Sequence, residues 1–248
     1  MAVHLYGVMW SSASLPDGID GRGGTSPRLV ADDDLAAVVG DVDLDVAPRR
    51  QDLLAHAHVL EACAEAETVI PARFGIVLDD DDAICRRVLN EQRDVLRQLL
   101  TTFEGLQQVT VRVSIPEELA LREVLARRPD VRAARERMTA SGHVPAATDE
   151  LVELGREVSL EIAGIREQQR HTVLERLAPL ARAVAENETT GEWEAVNAAF
   201  LVDRRTRDQF DRAVSLVEQQ GFSQVRYVGP QPPYSFLEPA QAGELAWA

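Results

Sequence analysis

The side chains that could do chemistry in this chain are spaced against it. Asp41, Asp43 and Asp45 imitate the opening of a calcium-binding loop. Such a loop needs glycine at its sixth position and a bidentate glutamate at its twelfth, where this chain has Val46 and Asp52. The alternation of acidic and apolar residues instead predicts a strand over Leu35 to Val46, with Val42, Leu44 and Val46 on one face. Four aspartates from Asp79 to Asp82 could gather a divalent ion, yet carboxylates ahead of a helix are favoured there by its dipole, and a solvated cap is the simpler reading. His56 and His58 stand two apart on a predicted helix, so they point to different faces and cannot ligate one metal together. His4, His143 and His171 stand singly. Cys63 and Cys85 have no further Cys or His at ligand spacing and read as free, buried thiols.

Composition removes further chemistry. The chain contains no lysine, which excludes a phosphate-loop lysine, Schiff-base catalysis and a lysine general base. There is no Gly-x-Ser-x-Gly elbow, dinucleotide fingerprint or metalloprotease helix motif, and the glycines from Gly21 to Gly24 lack the following lysine and helix that would cradle phosphate. A net charge of -15 repels phosphate backbones, so nucleic acid is not an expected partner. No apolar run approaches the ~18 residues needed to cross a bilayer. The N-terminus lacks a basic n-region and a cleavage site and reads as a first strand, so a cytoplasmic location is expected. No catalytic residue, metal site or cofactor is predicted.

Two places are unusual. Arg73 interrupts an apolar stretch between Pro71 and Phe74, where a buried guanidinium would need a carboxylate or several carbonyls. It reads equally as half of a structural ion pair, with Glu61 as candidate partner, and as a rigid arginine at an interface. Near the other end, Pro230, Pro232 and Pro233 restrict the backbone while Tyr234 and Phe236 offer large apolar area at low entropy cost. This reads as a latch that staples the tail, with direct partner contact as the alternative. Arg73, Phe74, Tyr234 and Phe236 are the candidate interface or latch residues.

The elements that must position them follow from periodicity. Val3 to Met9 predicts a strand, and Ser11 to Arg28 is too glycine-rich and apolar-poor to pack, so a loop is expected there. Pro48 opens a helix to about Glu67, with Leu53, Leu54, Ala57, Leu60 and Ala64 on its stripe. Val69 to Gly75 is a short buried strand. A helix from the aspartate run to Phe103 carries Ile84, Val88, Val95 and Leu99 and ends at Gly105, and Val109 to Val113 is a strand. These elements predict a small α+β sandwich over residues 1–115, with helices on one face of a mainly antiparallel sheet. From Pro116 a charged helical stretch breaks at Pro129 and again at Ser141 to Pro145. Past a cap at Thr148, a seam of Leu151, Gly155, Val158, Ile162 and Ile165, resuming at Val173, Leu177, Leu180 and Val184, predicts a long helix in a coiled-coil-like hairpin. Trp193 to Leu201 (strand), Arg204 to Gln219 (helix) and Phe222 to Val228 (strand) complete a second domain over residues 116–248. The turn after Gly105 and the one after Gly221 are alike enough to suggest duplication of a β-α-β unit.

Five motifs in order carry a resemblance: Leu5 to Gly7 (LYG), His56 to Glu61 (HAHVLE), Val69 to Gly75 (VIPARFG), Asn197 to Val202 (NAAFLV) and Gly229 to Phe236 (GPQPPYSF). Together they resemble the gas vesicle protein F/L family over essentially the whole chain. Ala72, Ile76 and Gln231 depart from it, since the family often has a bulky residue, threonine and tryptophan at those places. The resemblance implies a modified ferredoxin-like N-terminal domain, a C-terminal α+β domain with a coiled-coil-like helix pair, and no enzymatic activity. It further implies an accessory or minor structural component of the gas vesicle that binds the major shell protein and other gas vesicle accessory proteins. A regulatory small-molecule-binding module is the competing expectation. A small-molecule enzyme ranks below an assembly protein because nothing in the sequence suggests a perturbed acid or base in a pocket.

Overall fold

The computed structural model describes residues 1–141, 149–219 and 224–237. Within them the architecture is mixed α/β, with two antiparallel sheets and seven α-helices. The described residues form two compact units. The first gathers residues 1–109, 199–207 and 228–237, and the second the remainder of 110–198 and 208–227.

In the first unit, β1 (Val3–Trp10), β2 (Arg28–Asp32), β3 (Leu35–Asp41), β4 (Ile70–Pro71) and β5 (Val77–Leu78) make a sheet of order β2-β3-β1-β4, with β5 also on β1. β1 is buried along most of its length, as a continuous apolar run in the middle of a sheet requires. It pairs antiparallel with β3 from Val3 opposite Asp41 to Trp10 opposite Leu35, slipping register between Leu5 and Gly7. Gly7 is where β4 comes closest, because a Cβ there would lie 2.6 Å from the Ile70 carbonyl. α1 (Arg50–Ala66) covers this sheet, and Tyr6, Met9 and Val38 pack with Val59, Leu60 and Cys63. α2 (Asp81–Ile84), a π-helical turn over Cys85–Asn90 and α3 (Arg93–Thr102) follow. The Asp80 carboxylate caps α2 by accepting from the Ala83 N–H at 2.8 Å, as the aspartate run predicted.

Several expectations change here. The strand expected over Leu35 to Val46 forms from Leu35 but ends at Asp41. The Asp43 carboxylate accepts from the Asp45 N–H and turns the chain, leaving Leu44 72% exposed. A strand absent from the sequence reading, β2, pairs with β3 across Asp33 and Asp34, with Asp33 in the left-handed region at φ 54. The segment read as unable to pack buries Ile19 and sets Ala13 and Leu15 against the core. The predicted stripe of α1 holds in its second half, where Leu60 and Ala64 are buried, but Leu53 and Leu54 are exposed, and Asp52, His56, Val59 and Cys63 face inward.

β6 (Leu106–Ser114) follows α3 and enters a second sheet of order β7-β8-β6-β9, with β7 (Ala183–Glu186), β8 (Glu194–Asp203) and β9 (Gln224–Gln231). In the second unit, α4 (Glu117–Arg127) packs against α5 (Pro129–Ser141) and α6 (Asp149–Leu177). Arg127 and Arg128 reach Glu161 and Glu157 at 3.6 and 2.5 Å. The predicted seam buries Ile162, Ile165, Val173 and Leu177, whereas Gly155 is exposed. The helix does not continue to Val184. Pro179 lies in a short 3-10 turn after Leu177, and Val184 is in β7. α7 (Arg207–Gln219) buries Phe210, Ala213, Val214 and Val217. The expected break at Ser141 to Pro145 beyond its first residue, the Thr148 cap and the turn after Gly221 lie outside the described residues.

Candidate interaction site

The residues singled out on the sequence lie in two segments of the first unit, Pro71–Ile76 and the tail from Val228. The first connects β4 to β5. Ala72 N–H donates to the Tyr6 carbonyl at 2.8 Å and the Ile76 carbonyl accepts from Leu5 N–H at 3.0 Å, so both ends are tied to β1. Between them the chain leaves the ladder, with Gly75 at φ 97 in a conformation that favours glycine. Arg73 is exposed, and the ion pair considered with Glu61 is absent among the described residues. Phe74 is half-buried and turns inward, its ring 5.6 Å from both His4 and His56.

Those two histidines form the most unusual arrangement in the unit. His4 Nε2 lies 2.9 Å from His56 Nδ1, and His56 Nε2 lies 3.0 Å from the Ala72 carbonyl. A carbonyl can only accept, so His56 carries its proton on Nε2, and its Nδ1 must accept from His4 Nε2–H. His4 Nδ1 is then a buried lone pair without a hydrogen-bond partner. Tyr6 stacks on His56 at 5.4 Å and meets His4 edge-on at 4.8 Å, while its hydroxyl oxygen accepts from Arg22 N–H at 2.7 Å. Gly21 and Gly40 make room for that hydroxyl, with an added Cβ falling 2.3 and 3.0 Å from it. Burial, with the neighbouring His56 and Arg22 charges adding to it, lowers His4 from 6.5 to about 3, and burial also lowers His56. Both are neutral at physiological pH.

In the sequence these groups stand apart: His4 is alone in its run and His58 is the nearest histidine to His56, yet the partner of His56 lies 52 residues away. The usable signal was a histidine inside the apolar run of β1, a position that must be satisfied by some other element.

The tail is held through its prolines. Pro232 and Pro233 are buried, Phe236 is half-buried and Tyr234 is 43% exposed. Ser235 N–H donates to Gln108 Oε1 at 2.9 Å. Gly229, at φ 154, passes so close to β6 that a Cβ would meet Val109 Cγ1 at 2.8 Å and the Gln108 carbonyl at 3.1 Å. Glu61 of α1 lies within electrostatic reach of the Tyr234 hydroxyl.

Cys63 is buried and Cys85 half-buried, both free thiols. A cavity of about 420 Å³ in the second unit is lined by Arg170, Glu186 and Asn197 among others, with Arg170 already paired to Glu186 at 2.6 Å. Among the described residues no group of three metal-ligating side chains converges, and no helix is long and apolar enough to cross a membrane.

These features define a mixed α/β protein with two antiparallel sheets whose distinguishing residues hold backbone segments in place. A family profile described as gas vesicle synthesis protein GvpL/GvpF matches residues 2–238, and the chain belongs to that family. It is 33% identical over 242 residues to gas vesicle protein F of Streptomyces sp. (strain CB03234), covering 96% of this chain and 100% of that one. It is 29% identical to gas vesicle protein L of the same strain, over 90% of this chain and 87% of that protein. Gas vesicle protein F2 of Halobacterium salinarum is 27% identical, over 95% and 92%. The fold matches the crystal structure of GvpF from Anabaena sp. PCC7120 with a TM-score of 0.78 at 21% identity, covering 96% of this chain and 98% of that one. GvpF from Microcystis aeruginosa gives 0.72 at 20%, over 96% and 99%.

Proposed function

We propose that this chain is a non-catalytic accessory or minor structural protein of the gas vesicle, which binds the major shell protein and assists assembly. It works alongside other gas vesicle accessory proteins, in the cytoplasm and at the vesicle. The observation that carries this reading, beside family membership, is the Pro71–Ile76 segment: hydrogen-bonded to β1 at both ends, it presents an exposed Arg73 on a tethered loop. Arginine and aromatic side chains on preorganised backbone are what dominate protein interfaces, because little entropy is lost when they dock. Tyr234 and Phe236, set on the proline-locked tail, are proposed to serve the same face or to latch it. We read residues 1–115 as a modified ferredoxin-like domain and 116–248 as a C-terminal α+β domain with its helix pair.

Co-purification of the full chain with the major shell protein tests this. Arg73→Glu is expected to weaken capture about tenfold, the scale of one interface hot residue, while melting is unchanged. Tyr234→Ala is expected to lower melting more than capture. Undiminished capture by Arg73→Glu would remove the segment from the interface, and no capture by the unaltered chain would remove shell binding.

A further inference from the structure

The segment that presents Arg73 depends on the buried histidines. Between Ala72 and Ile76 no strand ladder holds the chain, and β4 and β5 on either side are two residues each. What fixes this stretch is the pair of β1 contacts, the His56 Nε2–H to Ala72 carbonyl bond, and Phe74 seated against both imidazoles.

We propose that the His4–His56 pair is a proton-sensitive hold on the Ala72–Ile76 segment, closed while both imidazoles are neutral and released when they take up protons. In the neutral pair His4 Nε2–H donates to His56 Nδ1 and His56 Nε2–H donates to the Ala72 carbonyl. A first added proton makes a cation in a pocket where His4 is 0% and His56 4% exposed. It rests at His4 Nδ1, which has no partner in the neutral pair, and the Ile76 carbonyl favours it there once that nitrogen is protonated. A second puts two N–H donors face to face across 2.9 Å, which no tautomer can satisfy. The way out is for the rings to part, and Ala72 and Phe74 are the groups they carry.

The charged neighbours set the balance. Arg22, from the segment between β1 and β2, opposes a positive charge at His4, as His56 does from α1. Asp52, also on α1, favours it, though its carboxylate already accepts from Arg49 N–H at 2.7 Å. Tyr6 stays protonated because burial pushes its phenol upward, so it supplies no counter-charge. Desolvation outweighs these at both rings. The hold stands on the pair's geometry, and its use to control docking rests on the function proposed above.

Hydrogen exchange of the full chain, read by mass spectrometry between pH 7.5 and 4.5 and corrected for the intrinsic pH dependence of exchange, tests it. Opening of residues 69–78 is expected to rise about tenfold per pH unit for each imidazole protonated in the open form, below about pH 6.5. Peptides from α6 are expected to hold constant. The double variant His4→Gln, His56→Gln is expected to open to the same extent at every pH. Unchanged protection of 69–78 overturns the proposal, as does an equal rise in the double variant or simultaneous loss across the whole chain. If that variant does not fold, the single variants His4→Gln and His56→Gln decide: each is expected to lower the pH slope of opening at 69–78 by about one proton, and an unreduced slope in both overturns the hold. Capture of the shell protein at pH 7.5 is measured in parallel. Its failure would refute the docking function without touching the exchange result.

Discussion

At the scale of single residues, burial decides which groups titrate and which react. Burial lowers both His4 and His56 from the 6.5 of an exposed imidazole, His4 to about 3. As pH falls, the unfolded chain therefore binds protons first, and the folded state loses stability from about pH 6.5 downward until the folded values are reached. Above that window the contribution is constant. Urea unfolding at pH 7.5 and 5.5 should show the loss, at most about 1.4 kcal/mol per pH unit per histidine. His4→Gln should flatten the slope. Cys63, buried and with its thiol pushed up to about 11, should resist alkylation in the native protein at pH 8 and react on unfolding. The absence of catalytic and metal motifs was an expectation of the sequence alone, because such motifs are local patterns. The histidine pair was invisible for the opposite reason: its members meet only through the packing of α1 on β1.

Elements were legible where one periodicity and one punctuating residue agreed. Gly105, at φ 70, closes the stretch after α3, and Asp80 caps α2 as an aspartate before a helix should. The readings failed where a side chain redirected the backbone. Asp43 folds back on Asp45 and ends a strand that alternation would have continued, and Pro179 ends α6 although the apolar stripe runs on to Val184. The tail illustrates a constraint that can be tested. Gly229→Ala places a methyl within 2.8 Å of Val109 at a backbone angle that side chains rarely adopt, and it should cost about 2 kcal/mol or more in denaturant unfolding. Arg204 supplies a second tether that no pattern announces. Its guanidinium donates to the carbonyls of Ala64, Glu65 and Glu67 at the end of α1, where helix carbonyls lack partners. Arg204→Met should cost about 2 kcal/mol by leaving them unpaired, with little change in secondary structure by circular dichroism.

For the whole molecule, family membership was legible because five short motifs recur in order across the chain, from LYG at Leu5 to GPQPPYSF at Gly229. The structure gives several of them physical roles. Gly7 admits β4, His56 joins β1 to the Ala72 carbonyl, and Gly229 admits the tail beside β6. The most direct measurement is light scattering of purified major shell protein diluted into assembly conditions, with and without an equimolar amount of this full chain. A shell-holding protein should delay the onset of scattering several-fold, and Arg73→Glu should shorten that delay. Identical onset with and without the chain, under conditions where the chain itself remains folded, would contradict the proposed role.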